Sequence, residues 1–162
     1  MPSKPDQHSY LLEVLVVDEE LLMSANPADT SNDDTEAMHL KHATLENAPL
    51  VDGRRSFFKY RDLGVTGASS GKLRAQVMQS IDGMNEPTGW HYHVCDGQFV
   101  YMLKGWVDLE FETGEKVRVS EGESLYIPGG MRHNETALSD DSEILELSVP
   151  ADMGTVQCDA PT

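Results

Sequence analysis

With 162 residues, the chain can bury one sizeable core, and 28 acidic against 12 basic residues give it a formal net charge of −16. That balance argues against polyanionic partners: nucleic acid and anionic membrane surfaces would both be repelled. Two cysteines, Cys95 and Cys158, are too few for a disulfide framework, and no segment approaches the ~20 apolar residues of a membrane span.

The opening stretch, MPSKPDQHSYLLEVLVVDEE, has a short apolar run interrupted by Glu13 and followed by Asp18, Glu19 and Glu20. It lacks a basic region joined to an apolar core and a small-residue cleavage site, so the chain reads as soluble and cytoplasmic. Leu11 to Val17 reads equally as a short strand or a helical turn. Asp33 followed by Glu36 resembles a capping box and predicts a short helix through Met38 and Leu40, with His39 and His42 on its solvated face. Residues 1–54 are read together as an N-terminal extension, packed on the rest of the chain or on a partner subunit.

From residue 55 the texture changes. The runs RSFFKYRDLG, KLRAQVMQSI, GWHYHV, QFVYML, WVDLEFE, KVRVS, SLYIPGG and EILELSVP alternate with turn formers such as Cys-Asp-Gly, Thr-Gly-Glu and Ser-Glu-Gly. Short strands at close spacing, without room for crossover helices, predict an all-β sandwich or barrel over residues 55–150. Residues 151–162 are read as a tail. In QFVYML, Gln98, Val100 and Met102 share one face and Phe99, Tyr101 and Leu103 the other. Both faces are bulky, so a cover is expected on the second, either the N-terminal segment or a second subunit, and a homodimer is the predicted assembly. Val107, Leu109 and Phe111 alternate with Trp106, Asp108 and Glu110, as in a strand with one wet or functional face.

Residues two apart on a strand point the same way, so His91 and His93 project together with Tyr92 opposed. Paired imidazoles are a ready metal site. Gln98 starts the next run after the turn Cys95-Asp96-Gly97. His133 follows Pro128-Gly129-Gly130 and supplies a third imidazole. Cys95 lies in the turn, where a bystander thiol is the better reading than a ligand. Asn134-Glu135-Thr136 matches a glycosylation acceptor by chance.

The segment 89–137 resembles the cupins. Their first motif is carried by His91, His93, Gln98 (where glutamate is usual) and Gly105; the second by Gly122, Pro128, Gly130 and His133. Asn85 stands at the first glycine position and Ala137 at the last asparagine. The resemblance implies a double-stranded β-helix, or jelly-roll, barrel. It also implies one divalent transition metal ion, Zn, Ni, Fe, Mn or Cu, held by His91, His93, Gln98 and His133. A His-His-Gln-His set is similar to that of small cupins acting on unsaturated uronates and of some polyketide cyclases.

Glutamine is neutral and cannot act as a base. Such a set would leave a divalent ion its full charge, favouring Lewis-acid chemistry over high-valent iron. Other residues near the motifs have competing readings. Trp90 and Tyr92 read as packing residues, and Met102 reads equally as lumen lining or core. Arg74 and Gln76 share a strand face, where Arg74 is either solvated or set to meet a substrate carboxylate. Tyr126 and Glu146 are the candidate proton-handling residues if they face inward.

Two functional classes follow. One is a metalloenzyme acting on a small oxygenated acid, by isomerisation, elimination, cyclisation or dioxygenation, with the redox-neutral options favoured. The other is a non-catalytic module that binds a metal or small ligand.

Overall fold

A computed structural model describes residues 37–53, 57–81, 83–84 and 86–162, all within the compact unit Thr35–Thr162. The strand or turn expected at Leu11–Val17 and the capping-box residues Asp33 and Glu36 lie outside these residues. The rest of the expected helix can be compared: residues 37–43 are not helical, and His39 instead donates its backbone N–H to the Ala68 carbonyl at 3.0 Å. Thr44 and Asn47 close a turn there through reciprocal side-chain hydrogen bonds of 2.7 and 3.2 Å. A local turn thus satisfies groups that a helix would otherwise have used.

The order along the chain is β1 (Val51–Asp52), β2 (Phe58–Asp62), a short helix α1 (Val65–Ala68), β3 (Arg74–Ser80), β4 (His91–Val94), β5 (Gly97–Lys104) and β6 (Trp106–Phe111). It continues with β7 (Lys116–Ser120), β8 (Ser124–Pro128), β9 (His133–Leu138), β10 (Glu143–Val149) and β11 (Gly154–Gln157). Among the described residues these make two antiparallel sheets. One runs β1-β2-β3-β10-β5-β8 and the other β11-β4-β9-β6-β7. This is the all-β architecture expected from the strand runs, in the jelly-roll form that the resemblance implies.

Each strand follows its residue pattern. In β5, Gln98, Val100 and Met102 are buried, while Phe99, Tyr101 and Leu103 stay 37–42% exposed on the outer face. In β6, Val107, Leu109 and Phe111 point into the core. The outward Asp108 pairs with its cross-strand neighbour Arg118 through two 2.7 Å hydrogen bonds, and that guanidinium lies 3.9 Å over the Trp106 ring.

Two strands were not legible as such. β9 has the polar sequence HNETAL, and β11 falls in the segment read as a tail. Neither shows apolar alternation, because each turns polar side chains towards the inside of the barrel. The core gathers around Met102, Val119, Ile127 and Ile144, all at most 4% exposed. Met102 is therefore core and does not line the cavity. That packing leaves an open cavity of about 610 Å³ between the inner faces of the two sheets.

Candidate metal centre

β4 turns His91 and His93 inward, and β9 sets His133 directly opposite His91 in the strand register. The ring centroids are 4.4 Å apart for His91–His133, 5.1 Å for His93–His133 and 5.2 Å for His91–His93. All three residues are buried, His133 completely. The chain reaches this arrangement through its Pro128-Gly129-Gly130 corner. A Cβ on Gly129 would collide with the Cys95 carbonyl oxygen, and Gly130 holds φ at +78° while donating its N–H to the His93 carbonyl at 2.9 Å. The corner thereby docks the start of β9 against the end of β4.

The back of each imidazole is anchored. Nδ1 of His91 meets the Gly89 carbonyl at 2.8 Å, and Nδ1 of His133 meets the Met131 carbonyl at 2.9 Å. A carbonyl only accepts, so both rings carry their proton on Nδ1 and present a bare Nε2. Nδ1 of His93 lies 3.1 Å from the Thr155 hydroxyl on β11. One ring nitrogen from each histidine lies within 4.8 Å of the others, so the three form a group able to hold a metal ion. His133 Nε2 is buried and has no hydrogen-bond partner. An orphaned lone pair beside two more imidazoles fits a cation, since a buried acceptor left unmet is costly.

The electrostatics agree. Burial, with its two histidine neighbours adding to it, pushes the His93 pKa down to about 4. Burial likewise lowers that of His133. Neutral imidazole is the ligating form. Gln98 is buried on β5 and lines the same cavity, and among the described residues its amide has no hydrogen-bond partner.

Glu135, which sequence reasoning had not assigned to the site, also faces the cluster. Its Oε2 lies 3.8 Å from His91 Nε2 and its Oε1 lies 3.9 Å from His133 Nε2. Burial alone would raise its carboxyl, but His91, His133 and the Thr88 hydroxyl outweigh that and hold it below the ordinary carboxylate range. The signal was present: Glu135 stands two residues after His133, the same spacing that links His91 to His93. The polar run HNE does not by itself have the residue pattern of a strand.

Across the cavity stand Arg74, Gln76 and Glu146, from the paired strands β3 and β10. Gln76 Nε2 donates to Glu146 Oε2 at 2.6 Å. Burial pushes the Glu146 carboxyl up against the opposing pull of Gln76 and Arg74. Arg74 forms no salt bridge among the described residues, and its Nη2 contacts Met153 Sδ at 3.8 Å.

Tyr126 is a correction. It is 61% exposed on the outer face of β8 and does not line the cavity. Its cross-strand partner is the outward Phe99, whereas the adjacent Ile127 pairs with the inward Gln98. Strand alternation therefore excludes Tyr126 from the lumen. Cys95 likewise stays outside the histidine group, in the turn before β5. Asn134 is buried and donates to Glu110 Oε1 at 2.9 Å, so it does not serve as a glycan acceptor.

Residues 81–149 match the family described as "Cupin domain". The barrel has the cupin fold. Among solved structures, KdgF from Halomonas sp. is 25% identical over 65% of this chain and 90% of its own, with a TM-score of 0.54. The polyketide cyclase RemF from Streptomyces resistomycificus is 20% identical over 76% of this chain and 90% of its own, with a TM-score of 0.59. Oxalate decarboxylase from Bacillus subtilis is 19% identical, covering 77% of this chain and 34% of that one, with a TM-score of 0.54. The two likenesses at 20% and below establish the shared fold alone. No curated protein matches the sequence. In this barrel the second motif contributes more to the cavity than its histidine, because the strand it opens carries Glu135 as well. Among the described residues no helix is long and apolar enough to cross a membrane.

Proposed function

We propose that this cupin is a metalloenzyme that acts on a small oxygenated acid by redox-neutral chemistry of the isomerase, lyase or cyclase type. The observation that carries the reading is a division of labour across one cavity. Three back-anchored imidazoles present bare nitrogens from one sheet, and a carboxyl, an amide and a guanidinium face them from the other. His91, His93 and His133 would hold one divalent transition metal ion, with Gln98 at hand on β5. Such an ion, when bound, polarises a substrate oxygen and stabilises developing negative charge.

The chain's own residues supply the rest. Arg74, free of any salt bridge among the described residues, is placed to receive the carboxylate of the acid. Gln76 holds Glu146 through Oε2, which leaves Oε1 to give or take a proton. The raised pKa of Glu146 keeps that proton available at higher pH than an ordinary carboxyl would. The apolar lining from Val100, Val107, Leu109, Ile127 and Ile144 limits competing water. RemF, a polyketide cyclase of the same fold, is consistent with a redox-neutral reaction in such a barrel.

We infer a cytoplasmic setting from the two unpaired cysteines, Cys95 and Cys158. A second copy of the chain is the proposed cover for Phe99, Tyr101 and Leu103 on the outer sheet face. Sedimentation equilibrium returning a monomer at all concentrations would reject that assembly.

The deciding experiment is metal analysis of protein purified without an affinity tag, followed by a turnover screen of sugar acids, keto acids and phenolic diols. Bound metal with turnover that falls in both Glu146→Gln and Arg74→Gln is the expected result. Bound metal without turnover on any acid would favour a binding module. Protein that takes up no metal would end the metalloenzyme reading.

A further inference from the structure

We propose that Glu135 is a protein ligand of the metal centre and supplies the carboxylate that the Gln98 position lacks; this rests on the metal reading above. β9 brings Glu135 to the cavity two residues beyond His133, so strand periodicity puts both on one face. The two carboxylate oxygens divide between the paired histidines, Oε2 at 3.8 Å from His91 Nε2 and Oε1 at 3.9 Å from His133 Nε2. These separations are too long for hydrogen bonds, so the carboxylate does not consume either nitrogen lone pair. They suit a shared ion: two donors bonded to one cation at about 2.0–2.2 Å lie no more than about 4.4 Å apart.

Thr88 fixes the carboxylate from behind. Its backbone N–H donates to the Glu135 carbonyl at 3.0 Å, and its Oγ1 accepts the Glu135 N–H at 3.1 Å. The same hydroxyl is hydrogen-bonded to Glu135 Oε2. Oε1 has no hydrogen bond among the described residues, and the side chain keeps 24% exposure. No lysine or arginine among the described residues forms a salt bridge with Glu135; the ionisable side chains within 4 Å of its carboxylate are the two histidines. A half-buried carboxylate is better satisfied beside a positive partner, and an ion shared with the imidazoles would be one.

The consequence concerns charge. Three imidazoles and an amide would leave a divalent ion its whole double charge. Glu135 cancels one unit, so the centre would hold its metal more tightly and polarise bound oxygen less than the neutral set implied by the motif alone.

The test uses cobalt(II) titrated into the chelator-treated full-length chain, read by visible absorption and by the dissociation constant, with circular dichroism as a check on folding. Wild type is expected to bind. Glu135→Gln is expected to weaken binding by about tenfold or more and to alter the visible band. An unchanged band and constant in Glu135→Gln would overturn the assignment and leave the three-histidine reading intact. Failure of wild type to bind cobalt would instead remove the metal reading itself, and this assignment with it. Should Glu135→Gln not fold, Thr88→Val keeps the carboxylate and releases its anchor. Weaker binding with an altered band supports the assignment, and wild-type behaviour rejects it.

Discussion

The two walls of the cavity are built on opposite rules. On the five-stranded sheet, each imidazole has its far side anchored, to Gly89, Met131 or Thr155, while its other nitrogen faces the lumen. On the six-stranded sheet, Gln76 and Glu146 are partnered to each other at 2.6 Å within the lumen. The first wall has an unmet buried acceptor, His133 Nε2, beside two more imidazoles and suits a cation. The second is nearly self-satisfied and calls for something that exchanges a proton or brings an anion to Arg74. On the proposed function the metal-holding histidines come from one sheet and the proton-handling residues from the other, with Gln98 on β5 the exception.

The contrast can be broken from either side. The largest effect is expected from His133→Ala, which removes the completely buried imidazole; metal retention after gel filtration and turnover should be lost together. Next, Glu146→Gln should lower kcat by about 10²–10⁴-fold while metal content stays at the wild-type level. A variant that loses metal as well would show that the two walls are not independent. Thr155→Val removes only the anchor behind His93 and is expected to weaken metal binding by about tenfold, read by competition with a chromogenic chelator.

The smallest effect is a pH dependence. The folded state holds the Glu146 proton more tightly than the unfolded chain does. Between the ordinary carboxyl pKa and the raised one, the folded protein therefore binds more protons, and its stability falls as pH rises through that interval. The slope from this group is at most about 1.4 kcal/mol per pH unit. Denaturant melts of chelator-treated protein should show that slope, and Glu146→Gln, which keeps an acceptor for Gln76, should flatten it. An identical pH profile in the two proteins would mean that the Glu146 carboxyl is not desolvated.

What was legible followed from periodicity. The β5 alternation separated Gln98, Val100 and Met102 from Phe99, Tyr101 and Leu103, and the burial follows it. The His91-Tyr92-His93 spacing gave the paired imidazoles, and the structure brings His133 to them. Periodicity failed where it was polar. β9 and β11 point His133, Glu135 and Thr155 inward, so neither looks like a strand with an apolar face. Tyr126 failed differently: its alternation with Leu125 and Ile127 was visible, but which side faces the lumen was set by the register with β5.

Local sequence was enough to specify that this chain forms short antiparallel strands and turns two histidines to one side. Side-chain direction on a strand has a period of two and needs no distant partner to define it. Only the tertiary structure decided that Glu135 and Thr155 join those histidines, that Gln76 holds Glu146, and that Tyr126 stays outside. Those outcomes depend on which strands lie side by side and in what register, a choice made by packing across the whole barrel.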